Sequence, residues 1–422
     1  MRLFYSIVFT LALPIIVLRL LWRGTKTSAY LKRWDERFTL KLPASDSTKS
    51  LIWIHAVSMG EVEASRPLIS SLQALYPGQQ LLISTMTPTG STRVSQLYGQ
   101  SVLHCYLPYD LPLFTKRFLS AINPSVGIIM ETELWPNLLH QAQKQSIPMV
   151  LANARMSSRS AEGYKRINKL CAEMLNSFTL IAAQSSEDRD QFISLGASRD
   201  NVHAVGNLKF ELDISDEVID DAQYIRSSWG KRSVFIAAST HEGEEILILN
   251  ALRQIKSSIP DVLLILVPRH PERFDRVAAV SQRAGFKILR RSEKGLCRQD
   301  IQIFVIDSMG ELPLFYAAAD IAFVGGSLVP TGGHNILEPA AVAKPIIVGP
   351  HVFNFKDITR QFIEANAAIQ VQSPEELAKT VITLFEDSQK QQQMGKAAKQ
   401  LITQSQGASQ RLINLIKRHI DV

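Results

Sequence analysis

Acidic side chains follow an apolar run near the start of this chain, at a point where a strand should turn into a helix. In VSMGEVEASRPLI, residues 57–69, the acids Glu61 and Glu63 come directly after SLIWIHA. A carboxylate near a helix N-terminus lies at the positive end of the helix dipole, which favours the ionised form that a general base needs. Glu61 is therefore predicted to be a catalytic base or a capping carboxylate, and Glu63 a capping carboxylate.

Three more charged candidate residues follow this first acid along the chain. METELWPNLL places Glu131 and Glu133 at the end of another apolar run, and GNLKFEL places Lys209 at the entry to a polar stretch. Lys209 is either a solvated surface lysine or a cation placed where a negative group needs one. Acids and a cation at strand ends are consistent with a polar group-transfer site.

A glycine-rich string in the second half suggests a nucleotide site. FVGGSLVPTGGHNILEPAAVAKPIIVGPH, residues 323–351, has two glycine pairs followed by a predicted helix that starts near Asn335. Paired glycines let a backbone approach a ligand closely, and a helix N-terminus suits phosphate. Glu338, one turn into the helix, could accept hydrogen bonds from ribose hydroxyls. The alternative is a glycine-rich turn before an ordinary capped helix.

Two other strand ends of the second half carry candidate ligand groups. Arg269 follows the apolar run LLILVP and offers a permanent cation for phosphate or carboxylate. Met309, Gly310 and Glu311 stand where another helix should begin, so their backbone groups could meet a base edge. Capping of that helix by Ser308 is an equally good interpretation of the last string.

The elements that must position these groups form two series. Apolar runs alternate with amphipathic stretches from Leu51 onward, which predicts α/β domains with parallel sheets covered on both faces. In such sheets ligands bind beyond the carboxyl ends of the strands, here facing a cleft between two domains. The predicted division is an anchor at 1–22, a Rossmann-like domain at 23–208, a linker at 209–223, a second Rossmann-like domain at 224–400, and a C-terminal helix at 401–422 that packs back towards the first domain.

Composition narrows the functional class. Of the 422 residues, 46% are apolar and 20% charged, the balance of a globular protein with room for two domains. Three widely spaced cysteines argue against a disulfide framework or a zinc knuckle and favour core thiols in a reducing compartment. A net charge of +7 without a basic-aromatic pattern argues against a nucleic-acid partner.

The first apolar segment predicts a membrane anchor. Residues 3–18 are apolar apart from the three hydroxyls of Tyr5, Ser6 and Thr10 and contain Pro14, and the stretch after them is basic. No small-residue cleavage site follows, so an uncleaved anchor is favoured over a signal peptide. Positive charge after the segment keeps the body on the cytoplasmic side, against an anionic lipid surface. Whether the segment spans the bilayer or lies in one leaflet stays open.

These strings resemble one family over essentially the whole chain, the 3-deoxy-D-manno-octulosonic acid (Kdo) transferases of Gram-negative bacteria. The resemblance is carried by VSMGEVEASRPLI, TMTPTGS, METELWPNLL, NARMSSRS, STHEGEE, PRHPERF, MGEL, FVGGSLVPTGGHN and GPHVFNFKD. It implies a GT-B fold, two Rossmann-like domains facing a cleft, with the membrane-anchor helix at the N-terminus. It also implies CMP-Kdo as donor, held mainly by the C-terminal domain. The acceptor would be the lipid A precursor (lipid IV-A) in the inner membrane, reached by the N-terminal domain.

The resemblance also implies a role for each matching residue. Glu61 would be the proton acceptor of an inverting transfer, and Glu131 and Lys209 would stabilise the transition state. The CMP-binding positions would be Pro268, Arg269, Met309, Gly310, Glu311, Asn335, Ile336, Leu337 and Glu338. Enzymes of this fold generally work without a bound metal, so neither a metal nor another cofactor is expected.

Two other functions remain as alternatives at this point. A GT-B enzyme that uses a UDP-sugar, either a transferase or an epimerase, would share the domain pattern and the glycine-rich loop. A membrane-tethered nucleotide-binding scaffold would share the anchor and the nucleotide site but would not need Glu61.

Overall fold

The structure is a computed structural model that describes residues 1–43, 46, 48–212 and 214–420. It divides into two compact units. Unit 1 comprises Met1–Glu211 and Ser405–Val422, and unit 2 comprises Leu212–Gln404. Positions 44, 45 and 47 of the predicted N-terminal domain, 213 of the predicted linker, and 421 and 422 of the predicted C-terminal helix lie outside the described residues.

Unit 1 is built on a sheet of seven strands. They are β1 (Leu51–His55), β2 (Gln80–Thr85), β3 (Leu103–Tyr106), β4 (Val126–Met130), β5 (Met149–Ala154), β6 (Leu180–Ala183) and β7 (Val202–Ala204). All neighbours are parallel, in the order β3-β2-β1-β4-β5-β6-β7. Successive residues of β1 enter different apolar clusters: Trp53 lies in one, and Ile52 and Ile54 lie in the other. Both faces of the sheet are therefore buried, as its continuous apolar runs predict.

Ten helices of unit 1 precede or connect these strands. They are α1 (Arg2–Lys26), α2 (Trp34–Arg37), α3 (Met59–Ala64), α4 (Arg66–Leu75), α5 (Pro88–Tyr98), α6 (Pro112–Ile122), α7 (Pro136–Lys144), α8 (Ser158–Lys165), α9 (Asn168–Leu175) and α10 (Ser186–Ser194). Pro67 stands in the first turn of α4, where its missing N–H costs nothing.

Unit 2 repeats this plan with its own sheet of seven parallel strands. They are β8 (Val234–Thr240), β9 (Leu263–Pro268), β10 (Ile288–Arg290), β11 (Ile303–Val305), β12 (Ile321–Val324), β13 (Ile346–Val348) and β14 (Ala368–Gln370), in the order β10-β11-β9-β8-β12-β13-β14. Its helices are α11 (Asp216–Ser228), α12 (Glu244–Ser258), α13 (Phe274–Arg283), α14 (Leu312–Ala318), α15 (Leu337–Ala341), α16 (Lys356–Glu364), α17 (Pro374–Glu386) and α18 (Ser388–Ser405). The predicted class of two parallel α/β domains is confirmed.

The segment predicted as a linker, 209–223, is mostly structured. The boundary between the units falls after Glu211, inside this segment, but residues 216–223 form the first half of α11. The acidic composition that was interpreted as a linker instead places Asp216 and Glu217 in the first turn of a helix, where the dipole favours them. Ala222 on the same helix is buried in the unit 2 core.

The last helix of the chain, α19 (Ala408–Ile420), belongs to unit 1. Its apolar residues recur every three or four positions, so they share one face of the helix. This face enters the same cluster as Ile52 and Ile54 of β1. Arg411 Nε also donates to Val205 O over 2.8 Å, and Ser409 N donates to Glu211 Oε1 over 2.7 Å. The C-terminus thus completes one face of the first sheet.

Leu412→Ala should therefore loosen unit 1. Leu412 is fully buried in this cluster, so we expect the substitution to cost about 2–5 kcal/mol of stability. Arg418→Ala, on the exposed side of the same helix, is the matched control and should change stability by less than about 0.5 kcal/mol. Hydrogen exchange of the β1 and β4 amides, followed by mass spectrometry, measures the effect. Equal protection in both variants would contradict a structural role for α19.

The N-terminal helix α1 ends at Lys26, four residues beyond the predicted anchor boundary. Its part from Arg2 to Thr25 is long and apolar enough to cross a membrane. The basic stretch after it is only partly free for lipid. Arg33 pairs with Glu36 at 2.7 Å, and Arg37 is buried with its guanidinium over the Tyr106 ring. The cations Lys32 and Lys41 of that stretch are exposed, as is Arg19 within α1.

Candidate active site

The first candidate group lies where β1 turns into α3. Ser58 is the N-cap residue of α3, and Glu61 stands in the first turn. Its carboxylate turns back towards the loop: Oε2 accepts from Val57 N over 2.8 Å, and Oε1 accepts from Ser58 Oγ over 3.0 Å. Each oxygen keeps a further lone pair. The capping and general-base interpretations are therefore compatible, because the cap fixes the carboxylate without using all of its acceptor capacity.

Burial decides the ionisation of Glu61. The side chain is only 9% exposed, and burial raises its pKa to about 7 in spite of the hydrogen bond from Val57. The neighbouring carboxylates Glu131 and Glu133 raise this pKa further. The sequence predicted that the helix dipole would favour the ionised form, but here loss of water outweighs it. A carboxyl with a pKa of about 7 can take up and release a proton near neutral pH.

Glu131 and Lys209 form an ion pair in unit 1. Lys209 Nζ lies 2.6 Å from Glu131 Oε1, and each side chain is about one quarter exposed. Lys209 stands in a 3-10 turn, Leu208–Phe210, whose N-cap Asn207 accepts from Lys209 N over 3.0 Å. This turn contacts α3, the helix that carries Glu61. The interpretation of Lys209 as a solvated surface lysine is wrong.

The backbone at Glu131 is unusual. Its φ of +60° lies in the left-handed region, which costs a non-glycine residue about 1 kcal/mol or more. The residue follows β4 directly, and its N–H donates to Ala152 O of β5 over 2.9 Å. Sheet pairing thus holds the strained residue in place. Such strain is typical of residues whose side chain must point in one direction.

Glu133 adds a third acid to this group. Burial raises its pKa to about 7, and Glu131 raises it further. Glu133 in turn raises the pKa of Glu61. By contrast, Glu63 lies outside the group, in ion pairs with Arg93 and with Arg66. Its carboxylate is held by two arginines, so the prediction that Glu63 is a capping carboxylate is wrong.

In unit 2, the predicted nucleotide-binding segments lie at one edge of the sheet. Pro268 is the last residue of β9, residues 309–311 follow β11, and residues 335–338 lie in the chain that follows β12. Because the strands are parallel, their carboxyl ends lie at the same end of the sheet, and this is the end meant here by the edge. The helices α14 and α15, which follow two of the segments' strands, also contact each other. The three segments therefore converge as the sequence predicts.

Arg269 supplies an available cation at this edge. Its N–H donates to Thr240 O over 3.1 Å, and its side chain is half-buried. Among the described residues, its guanidinium forms no ion pair. Its charge instead acts on His334, whose pKa is lowered to about 3 by burial first and by Arg269 second. An uncompensated guanidinium at a strand end suits an anionic ligand.

A histidine pair that the sequence did not predict lies beside Arg269. His241 and His334 stack with ring centroids 4.9 Å apart, and their Nε2 atoms are 2.7 Å apart. One Nε2–H must therefore donate to the other ring. Burial lowers the pKa of both rings, so the pair is uncharged at neutral pH. His270 contacts His241 edge-on at 5.4 Å.

The glycine pair after β12 has a different role from the one predicted. Glu244, which is fully buried, accepts from Gly326 N over 2.7 Å and from Ser327 N over 3.0 Å. It also accepts from Leu328 N over 2.9 Å and from His241 N over 3.1 Å. These amides are therefore not free to bind phosphate. The glycines are needed because a Cβ on Gly325 would lie 2.8 Å from Glu244 Oε2.

The helix after the second glycine pair is also shorter than predicted. α15 has only five residues, so the helix-dipole argument for phosphate binding is weak here. Its entry is fixed locally: Asn335 Oδ1 accepts from Leu337 N over 3.1 Å, and Asn335 Nδ2 donates to Glu338 Oε1 over 3.2 Å. The carboxylate predicted to bind ribose thus contacts the neighbouring asparagine.

The MGE string forms the third segment of this edge. Gly310 has a φ of +87°, a conformation that glycine adopts without strain. Arg291 Nη2 lies 2.8 Å from Glu311 Oε1, and Ser308 Oγ donates to the same carboxylate, so capping by Ser308 is not its role. Hydrogen bonds from Arg291 lower the pKa of Glu311. A cavity of about 540 Å³ opens beside this carboxylate and is also lined by Arg291, Ser292, Lys294, Gly295, Phe304, Asp307 and Ser308.

No group of three or more histidine, cysteine or acidic side chains that could hold a metal ion occurs in the part of the chain that the structure describes.

Two family models match the chain, one in each unit. Residues 32–212 match the 3-deoxy-D-manno-octulosonic-acid transferase (kdotransferase) model, and residues 230–401 match the model of glycosyl transferases group 1. The boundary between the two matches agrees with the boundary between the units after Glu211.

Similar proteins match most or all of this chain. The 3-deoxy-D-manno-octulosonic acid transferase of Haemophilus influenzae is 40% identical over 100% of this chain and 99% of its own. That of Bordetella pertussis is 36% identical over 87% of this chain and 86% of its own. The crystal structure of Anabaena HepE in complex with UDP is 15% identical, covers 87% of this chain and 100% of its own, and has a TM-score of 0.53, a likeness of fold alone.

Proposed function

Because this chain belongs to the 3-deoxy-D-manno-octulosonic acid (Kdo) transferase family, we propose that it moves Kdo from CMP-Kdo to the lipid A precursor lipid IV-A. Family membership establishes the coarser activity: the chain is a glycosyltransferase, a Kdo transferase of lipopolysaccharide biosynthesis. The observation that carries the finer proposal is the buried Glu61 carboxyl with a pKa near 7, next to the turn that holds Lys209.

Glu61 is the general base in this proposal. The acceptor hydroxyl gives its proton to a free lone pair of the Glu61 carboxylate as its oxygen attacks the anomeric carbon of Kdo. The bond to CMP breaks on the opposite side, and the configuration inverts. The hydrogen bonds from Val57 and Ser58 hold the carboxylate in one orientation, which reduces the entropic cost of reaching the transition state.

Glu131 and Lys209 stabilise the charge that develops during this step. The attack builds positive charge on the sugar ring and negative charge on the departing phosphate. A carboxylate and an ammonium held 2.6 Å apart can respond to both without reorganising. The sheet hydrogen bond at Glu131 and the Asn207 cap at Lys209 keep the pair in place before substrate arrives.

Unit 2 binds the CMP part of the donor in this proposal. Arg269, a cation without an ion pair among the described residues, meets the phosphate. The remaining contacts are assigned to Pro268, Met309, Gly310, Glu311, Asn335, Ile336, Leu337 and Glu338. The proposal assigns no metal or other cofactor, because an arginine can take the charge of the departing phosphate.

The acceptor sets the location of the enzyme. A lipid with several acyl chains does not leave the bilayer readily, so the enzyme must reach it at the membrane. The apolar helix α1 and the exposed cations Arg19, Lys32 and Lys41 suit an anionic bilayer surface. We place the enzyme on the cytoplasmic side of the inner membrane, since positive charge flanking an apolar segment is retained there.

Transfer assays with two classes of donor test this function. Purified protein is incubated with lipid IV-A and either CMP-Kdo or a set of UDP-sugars, and the lipid products are analysed by mass spectrometry. We expect the mass to increase by whole Kdo units, with release of CMP, only in the first reaction. Turnover with UDP-sugars alone would show that the chain uses another donor.

The pKa of Glu61 predicts the pH dependence of this reaction. A general base works in its ionised form, so kcat/KM should fall about tenfold per pH unit below pH 7 and level off above it. Glu133→Gln removes a negative neighbour that raises this pKa, so the profile of that variant should shift to lower pH. Initial rates between pH 5.5 and 8.5 measure both effects. A flat profile in the wild type would contradict the assignment of Glu61.

A further inference from the structure

Both ends of helix α1 are attached to unit 1. At its start, Arg2 Nη1 and Ser6 Oγ each donate to Asn137 Oδ1 over 3.0 Å. The Tyr5 hydroxyl lies close enough to the Asp110 carboxylate to lower its pKa. At its end, Leu20 is buried, and the chain continues directly into the 3-10 turn Ser28–Leu31, where Leu31 packs so closely on Gly24 that a Cβ there would lie 2.3 Å from it.

The contacts at the start of α1 reach into the structure of unit 1. Ser6, Asp110 and Asn137 are all buried. Asp110 Oδ2 accepts from Asn137 N over 3.0 Å and Oδ1 accepts from Leu138 N over 2.8 Å, so this carboxylate caps α7. If α1 left this position, Asn137 Oδ1 would lose both of its donors.

The opposite side of the helix is apolar and exposed along its whole length. Its members recur every three or four residues and so share one face. We call this the lipid face: Leu3, Phe4, Ile7, Val8, Leu11, Ile15, Leu18 and Trp22, each at least 48% exposed. A soluble protein rarely leaves such a continuous stripe open to water.

These observations separate two arrangements that hydropathy alone does not. A helix that crosses the bilayer puts about 30 Å of hydrocarbon between its two ends. The 24 residues from Arg2 to Thr25 extend over about 36 Å, yet the first turn contacts Asn137 of α7 and the last turn continues directly into the rest of unit 1. Both ends therefore lie on the same side of the membrane as unit 1.

We propose that α1 lies in the plane of the membrane, fixed along unit 1, with its lipid face buried in one leaflet. The occupant of this face is a lipid surface with anionic headgroups. Charge complementarity favours it, because exposed cations stand on α1 itself, on the segment after it, and on α6. They are Arg19, Lys32, Lys41, Lys116 and Arg117. The proposal rests on the membrane location given under the proposed function and specifies its geometry.

Probe depth along the helix tests this arrangement. Cys105, Cys171 and Cys297 are buried and unpaired, so single cysteines introduced by Leu3→Cys, Leu11→Cys and Leu18→Cys can be labelled selectively with a fluorophore. The labelled full-length protein is bound to vesicles of phosphatidylethanolamine and phosphatidylglycerol. Quenching by nitroxides at defined lipid depths then gives the depth of each probe. Lys390→Cys, at an exposed position of α18 in unit 2, is the control for a probe in water.

An in-plane helix gives three equal depths, about 5–10 Å below the headgroup boundary. A spanning helix gives a probe at Leu11 that is about 10 Å or more deeper than those at Leu3 and Leu18, since each residue advances 1.5 Å. That result would overturn the proposal, as would the absence of vesicle binding.

Kdo transfer is assayed in the same samples. A spanning profile with normal transfer rejects only this inference, and equal depths without transfer reject only the proposed function.

Discussion

Replacing Glu61 by glutamine lowers kcat for Kdo transfer by about 10²–10⁴-fold and leaves the affinity for CMP-Kdo unchanged. The amide keeps the size of the side chain and can still accept a hydrogen bond from Val57, so the loop after β1 should persist. It cannot take up the proton of the acceptor hydroxyl. Single-turnover rates and CMP-Kdo binding by calorimetry separate the two effects.

The control for this substitution is Glu63→Gln. Glu63 lies two residues away but is paired with Arg66 and Arg93, so the rate should change by less than a few fold. A membrane-tethered scaffold without catalysis predicts a different outcome, in which Glu61→Gln leaves the cell's function intact. Retention of transfer by Glu61→Gln would remove the general base from the mechanism.

Glu61→Gln lowers the rate of transfer but should not lower the stability of the fold above pH 7. Because burial raises the pKa of Glu61 in the folded state from 4.5 to about 7, the folded protein holds its proton more tightly than the unfolded chain. This contribution to stability is complete below about pH 4.5 and is lost as the pH rises through 7. At pH 8 the Glu61→Gln variant should therefore resist urea at least as well as the wild type.

Lys209→Met is expected to produce the second large loss, about 10²–10³-fold in kcat, the range seen when one preorganised charge-stabilising donor is removed. The substitution leaves Glu131 without its ammonium partner. It also removes the positive charge beside the acids Glu61 and Glu133. The pKa of Glu61 should then rise, so the pH profile of this variant should shift upward.

Two further variants make this prediction specific. Lys209→Arg keeps the cation and should restore part of the rate, while Lys165→Met, on the exposed end of α8, should leave it unchanged. If Lys209 acts through its pairing with Glu131, the double variant Glu131→Gln/Lys209→Met should lose less than the product of the single losses. Full additivity would show that the two residues act independently.

The elements that the sequence predicted best are those with strong local patterns. β1, β4 and β8 are continuous apolar runs bounded by polar turns, and the candidate acids Glu61 and Glu131 stand at the corners that follow β1 and β4. The position of Glu61 in the first turn of a helix could be predicted because a strand, a short turn and a capping serine are adjacent in the chain.

The features that the sequence did not predict depend on residues far apart in the chain. Glu244 binds the amides of residues 326–328, and His241 stacks on His334, which is 93 positions away. Nothing in a glycine-rich string indicates that a distant buried carboxylate has taken its N–H groups. The raised pKa of Glu61 was missed for a similar reason, because burial depends on the whole fold and the dipole only on one turn.

The placement of α19 in unit 1 has a consequence for synthesis on the ribosome. The first sheet keeps part of one face uncovered until the whole of unit 2 has been translated, because Leu412, Ile413 and Ile416 close it from the far end of the chain. At roughly 5–20 residues per second, this interval lasts on the order of ten seconds or more. The nascent N-terminal domain thus exposes an apolar surface for that time, and chaperones can bind this surface before release.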